Sequence, residues 1–120
     1  MSDDLVERFI SASTRRLAAI ERNDTRSANR EFIKVSKMRA EFWVLPDHGA
    51  SLLRQLLEVP NEQARATAAI YLLPLDEARA LNTLRDLLEN ARNPEIRMSA
   101  SNSLDLWPKG QMDFLKIPPA

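Results

Sequence analysis

Leu53-Arg54-Gln55-Leu56-Leu57-Glu58 returns as Leu84-Arg85-Asp86-Leu87-Leu88-Glu89, 31 residues further along the chain. After one inserted residue, Asn61, Ala64, Arg65, Ala68 and Leu72 return as Asn93, Ile96, Arg97, Ala100 and Leu104, now 32 residues on. A fixed period across two helical patterns predicts a repeated helix pair, because such a unit buries its apolar face only against a neighbour. The two units span residues 49–74 and 77–107. Each reads as a leucine-faced outer helix, a turn, and an asparagine-capped inner helix. Small residues such as Ala64, Ala68 and Ala69 sit where neighbouring helices crowd it. Asp76 is placed to cap the second outer helix, and Asn93 before Pro94 marks a clear helix start. Pro60 and Pro108 act as stops.

Working outward, residues 3–45 predict a helical hairpin. Ser2 reads as an N-cap, and Asp3 and Asp4 suit a helix N-terminus electrostatically. Leu5, Val6, Phe9, Ile10, Leu17 and Ile20 follow within an arc of roughly 140°, and the helix is expected to end near Asn23. Asp24 reads as the cap of a second helix, with Ala28, Phe32, Val35, Met38, Phe42 and Trp43 on one side until Pro46. A turn at Asp47-His48-Gly49 is expected to open the third helix. Residues 109–120 form a tail whose Phe114, Leu115 and Ile117 can dock and whose Pro118-Pro119-Ala120 end should be mobile.

The inner-helix pattern from Asn61 through Ala64-Arg65 and Ala68-Ala69 to Leu72, repeated from Asn93 to Leu104, resembles HEAT-like repeats, in the short-period variety related to phycobilisome lyase repeats. Asn23-Asp24, Ala28-Asn29-Arg30, Leu56-Leu57, Ala68-Ala69 with Leu72-Leu73-Pro74, and Leu106-Trp107-Pro108-Lys109-Gly110, in that order, resemble a small bacterial family known as domain of unknown function number two thousand and nineteen. The resemblance implies an all-α fold, an α-α superhelix of about six helices, and carries no activity or catalytic residue with it. A solenoid usually needs about three repeats, so the N-terminal hairpin is expected to cap the exposed face of the first unit.

At 120 residues with 44% hydrophobic and 28% charged side chains, the chain suits one domain, residues 1–120, around one core. Seventeen basic residues balance seventeen acidic ones, so no bulk field drives the whole protein onto nucleic acid or an anionic membrane. The absence of cysteine removes disulfides and thiolate metal sites and suits a reducing, cytoplasmic setting. The acidic start is unlike a signal peptide, and no apolar run approaches the roughly 20 residues of a membrane span.

Chemistry-bearing constellations are sparse. His48, the sole histidine, has no second imidazole or thiolate to complete a transition-metal site. Two glycines cannot form a glycine-rich phosphate loop, and no serine sits in a nucleophile elbow. Asp86 and Glu89 are one helical turn apart, as on any solvated face. The expectation is therefore no enzyme, no cofactor and no metal. Arg65 and Arg97, equivalent in the two units, are expected to bridge to polar groups of the neighbouring unit. Trp43 and Trp107 are expected to plug the ends of the helical stack.

One local feature stands out. Residues 15–39 hold eight basic and three acidic side chains, and Arg26, Arg30, Lys34 and Lys37 fall within about 80° of arc opposite the apolar stripe. The plain account is a solvated helix face. The sharper one is a positive ridge that docks an acidic protein partner, making the chain a non-enzymatic interaction module. A narrower version neutralises a toxin or regulates a neighbouring gene product. Nucleic-acid backbone binding is an alternative, opposed by zero net charge and by a second half with ten acidic and eight basic residues from 46 onward. A lyase-like enzyme is a further alternative. The outer face of the last inner helix, bearing Met98, is expected to be covered by either the tail or a second copy of the chain.

Overall fold

The computed structural model describes residues 2–44 and 46–115. Where the first helix stops is decided by Asn23, whose φ of 59° lies in the left-handed region that asparagine tolerates better than most residues. Its N–H donates to the Ile20 carbonyl at 3.1 Å, and the Asp24 N–H to that of Ala19 at 2.8 Å. This paired closure satisfies carbonyls that would otherwise end the helix unbonded. The helix so ended is α1 (Ser2–Glu21), and α2 (Thr25–Val44) starts immediately beyond. Asp24 caps α2: its carboxylate accepts from the Ser27 N–H at 3.1 Å and from the Ser27 hydroxyl at 2.7 Å. Those bonds hold the Asp24 carboxyl below its ordinary pKa, since they favour the charged form. The cap expected of Ser2 lies outside the described side chains.

The second half contains α3 (Pro46–Leu56), α4 (Glu62–Leu72), α5 (Glu77–Asn90) and α6 (Pro94–Leu106), followed by a 3-10 turn at Asp113–Leu115. The expected caps are in place. The Asn61 side chain accepts from the Ala64 N–H at 2.9 Å, Asp76 from Arg79 at 3.5 Å, and Asn93 from Glu95 at 2.8 Å. Pro94 occupies the first turn of α6, where its missing N–H costs nothing. Asp47, His48 and Gly49 lie inside α3 and not in a turn before it. Gly49 is there because α2 crosses at backbone contact: a Cβ on it would meet the Phe42 carbonyl oxygen.

Packing follows from these stops. Arg8 meets Glu41, Phe9 meets Phe42 and Arg15 meets Glu31, so α1 and α2 run antiparallel. Their hairpin lies against α4, the central helix, on which Gln63, Ala64, Ala66, Thr67, Ala68, Ala69, Tyr71 and Leu72 are all buried. Buried on nearly every side, α4 tolerates only small or well-fitted residues, which is why it is alanine-rich. Of the residues that recur in the sequence pattern, Leu53 and Leu84, Leu56 and Leu87, Ala64 and Ile96, and Ala68 and Ala100 are buried in both places, while Leu72 is buried where Leu104 is only partly so. The radius of gyration is 13.4 Å, close to the roughly 13.6 Å expected of a compact chain this long.

Among the described residues all regular structure is helical, as expected. A further detail differs from the sequence reading. Phe32, expected on the apolar stripe of α2, is exposed, while Glu31 beside it is buried. The true inner arc of α2 is shifted towards α1, and Glu31 is retained there because α1 supplies a cation for it. In the tail, Met112 and Leu115 are buried and join the core, whereas Met98 stays exposed, so the described tail does not cover it. Ile117 and the closing prolines lie outside the described residues.

Both tryptophans end helices. Trp43 is buried and donates its indole N–H to the Tyr71 carbonyl at 3.2 Å. Trp107, half-buried after α6, donates to the Glu77 carboxylate at 2.9 Å.

Candidate functional site

Arg26, Arg30, Lys34 and Lys37 recur at offsets of four, eight and eleven on α2, which aligns them on one face of a 3.6-residue helix, and all four are exposed. They are not equivalent. Lys34 donates to Glu31 at 3.2 Å, and Arg15 of α1 donates to the same carboxylate at 2.8 Å. Burial alone would raise the Glu31 pKa, but these two charge-assisted bonds outweigh it and hold the carboxyl below its ordinary value. Lys34 therefore serves the hairpin as well as the surface. Arg30 donates to the Ser27 hydroxyl at 3.1 Å. Among the described residues, Arg26, Arg30 and Lys37 have no carboxylate within ion-pair distance.

Ile33 completes this face. It is 54% exposed and lies three residues after Arg30 and four before Lys37, the spacings at which helix side chains are neighbours. Sequence reading left it out because it falls outside the apolar stripe, although that same mismatch in phase was the available signal.

A second basic feature lies on the other flank of α2, where α1, α2, α4 and α6 enclose a cleft of about 140 Å³. Arg16 of α1, half-buried, stacks its guanidinium 4.7 Å from the Phe32 ring centroid, which accounts for the outward turn of Phe32. Arg39 of α2 lies over the rings of Trp43 and Tyr71, at 5.5 and 5.9 Å. Burial raises the Tyr71 pKa, against a hydrogen bond with Ser36 and the opposing fields of Arg39 and Arg16. Burial likewise lowers the Arg16 pKa, against the opposing fields of Glu95 and Tyr71. No sequence pattern announced this cleft, because its residues come from four helices with no common spacing.

The remaining singled-out residues have structural surroundings. Arg97 donates to the carbonyls of Ala91 and Arg92, at 2.6 and 3.2 Å, and so ties down the chain between α5 and α6. The start of α4 is joined to the start of α6 by Glu62, whose carboxylate accepts from the N–H groups of Arg92 and Asn93. Arg65 is partly buried, and its Nε has no partner among the described residues. His48 is exposed on α3, and Asp86 and Glu89 are exposed on α5. Among the described residues no group of three or more histidine, cysteine or carboxylate side chains is placed to hold a metal ion. No described helix is long and apolar enough to cross a membrane.

Among the described residues, six packed helices, several of them begun by a side-chain cap, make a small all-helical fold. The chain belongs to the family described as "Domain of unknown function (DUF2019)", whose model matches residues 3–107. It is also similar to the crystal structure of the protein RPA1889 from Rhodopseudomonas palustris CGA009. Identity there is 24%, with 100% of this chain and 94% of that one covered at a TM-score of 0.84, a likeness that speaks for the fold alone. No curated protein matches.

Proposed function

We propose that the chain is a non-enzymatic, HEAT-like helical-repeat module that docks an acidic protein partner through the α2 face, in the cytoplasm. The observation that carries this reading is the set of three exposed cations, Arg26, Arg30 and Lys37, without a carboxylate partner among the described residues. Arg8 with Asp4 and Glu41, and Lys109 with Asp105, are surface cations already ion-paired, and Arg85 and Arg92, exposed without a carboxylate within ion-pair distance among the described residues, lie apart on the second half of the chain and do not form such a row. Cations left unpaired cost nothing in water and gain a charge-assisted contact when an acidic surface arrives. Exposed Ile33 among them supplies an apolar point of contact within a charged rim. Zero net charge favours an acidic protein over a nucleic-acid backbone, whose binding scales with the number of phosphates neutralised.

The test is affinity capture from native cells with wild type and with an Arg26→Glu/Arg30→Glu/Lys37→Glu variant, leaving Lys34 to hold Glu31. Loss of a salt-sensitive acidic partner from the variant supports the reading. Recovery of the same partners by both proteins defeats it, and salt-dependent retention on RNA or DNA in place of any protein replaces it.

A further inference from the structure

The cleft between α1, α2, α4 and α6 lies off the basic face of α2 and makes no use of the ridge. Its lining holds three charged groups, Arg16, Arg39 and Glu95, so it is positive by one. From α4 come only the neutral Gln63, Thr67, Ile70 and Tyr71, while Ile20 and Ile96 add aliphatic wall. Arg16 is under-bonded for a half-buried guanidinium. A guanidinium has five N–H donors, yet the one bond Arg16 makes within the described protein is a long 3.5 Å contact to the Ala28 carbonyl. Among the described residues its buried Nε has no partner, and no carboxylate lies within ion-pair distance. A desolvated donor fork left open in this way favours a planar anion. The volume of about 140 Å³ is near the ~150 Å³ of a cavity that holds benzene.

We infer that this cleft binds a small organic monocarboxylate, its carboxylate on the guanidinia of Arg16 and Arg39 and its hydrocarbon part against Phe32, Ile70 and Ile96. The single positive charge matches one carboxylate, and the mixture of rings and aliphatic walls beside two cations matches an amphiphilic anion better than an inorganic one. Glu95 in the lining disfavours a dianion.

Benzoate is the probe. The intact chain is titrated with sodium benzoate at constant ionic strength and followed by NMR, reading the side-chain Nε–H signals of Arg16 and Arg39 and the ring signals of Phe32 and Tyr71. Saturable shifts confined to these groups are expected, with benzyl alcohol and sulfate each binding at least about tenfold more weakly. Arg16→Gln should weaken benzoate by about tenfold, the ~1.4 kcal/mol of one charge-assisted hydrogen bond, with the remaining backbone spectrum preserved. Because the wild-type titration needs no variant, a misfolded Arg16→Gln leaves the test intact. Absence of saturable shifts, an equal response to benzyl alcohol, or shifts centred on Arg26, Arg30 and Lys37 would overturn the assignment. So would an acidic peptide that occupies the cleft and is not displaced by benzoate.

Discussion

The hairpin of α1 and α2 and the four helices after it are built by different means. The hairpin uses long helices, aromatic contact and ion pairs: Phe9 meets Phe42 edge-on at 5.5 Å, and Arg15 and Lys34 close on Glu31. The later helices are short and carry their order at their ends, in Asn61, Asp76, Asn93 and the Glu62 carboxylate, with alanine where they cross. A charged contact depends on pH and salt. A cap or a close helix crossing depends on shape. The two regions should therefore respond differently to the same perturbation, although they share one core.

The sharpest way to break this contrast is at the seam. Phe9 belongs to the hairpin but also meets Tyr71 of α4, with ring centroids 6.4 Å apart. Phe9→Ala is expected to cost about 3–5 kcal/mol in urea unfolding, with both regions affected. If only α1 and α2 lost protection in hydrogen exchange, the shared core would be wrong. Gly49→Ala, at the crossing of α2 and α3, should cost about 3 kcal/mol because backbone must move to admit the methyl group. A melting temperature within a degree of wild type would show that the crossing gives way easily.

Two milder changes separate the regions. Glu31→Gln removes a buried carboxylate held by two cations and should cost about 1–2 kcal/mol at neutral pH. Its folded pKa is depressed, so its contribution is full above the ordinary carboxylate range and is lost as pH falls through the folded value. Denaturation measured along a pH series should thus show wild type and variant converging in acid, where a constant gap would remove the charge from the account. Asn93→Ala should cost about 1 kcal/mol and show no such convergence. The smallest effect is expected of Arg26→Glu/Arg30→Glu/Lys37→Glu, whose stability should stay within about 0.5 kcal/mol of wild type while partner capture is lost.

The caps explain why so much of the later region was legible in the sequence. Asn61, Asp76 and Asn93-Pro94 act on groups two or three residues away, so spacing alone placed them. Of the repeated leucines and alanines, Leu53, Leu84, Leu56, Leu87, Ala64, Ala68, Ala100 and Leu72 are buried as their spacing implied, whereas Leu57 and Leu104 are only partly buried and Leu88 is exposed. Glu31 and Phe32 exchanged roles because what decides them, Arg15 and Arg16, lies on another helix. Arg97 bonds within its own turn where a bridge was expected, and it is Glu62 that joins the starts of α4 and α6. A carboxylate at a helix start carries no mark of which neighbouring backbone it will meet. The ridge was legible as four cations in phase, but the pairing of Lys34 and the place of Ile33 depended on the fold. The Arg16 and Arg39 cleft, assembled from four helices, left no signature.

The two indoles give the molecule an optical division of labour. Trp43 is enclosed at the end of α2 against the Tyr71 carbonyl, and Trp107 sits half in water beside Glu77 after α6. Their emission should differ in colour, and each reports on its own part of the chain. A Trp107→Phe variant would leave a single fluorophore watching the hairpin and Arg39, and a Trp43→Phe variant one watching the end of α6, so loss of the N-terminal helices and of the C-terminal ones can be timed separately by comparing the two variants.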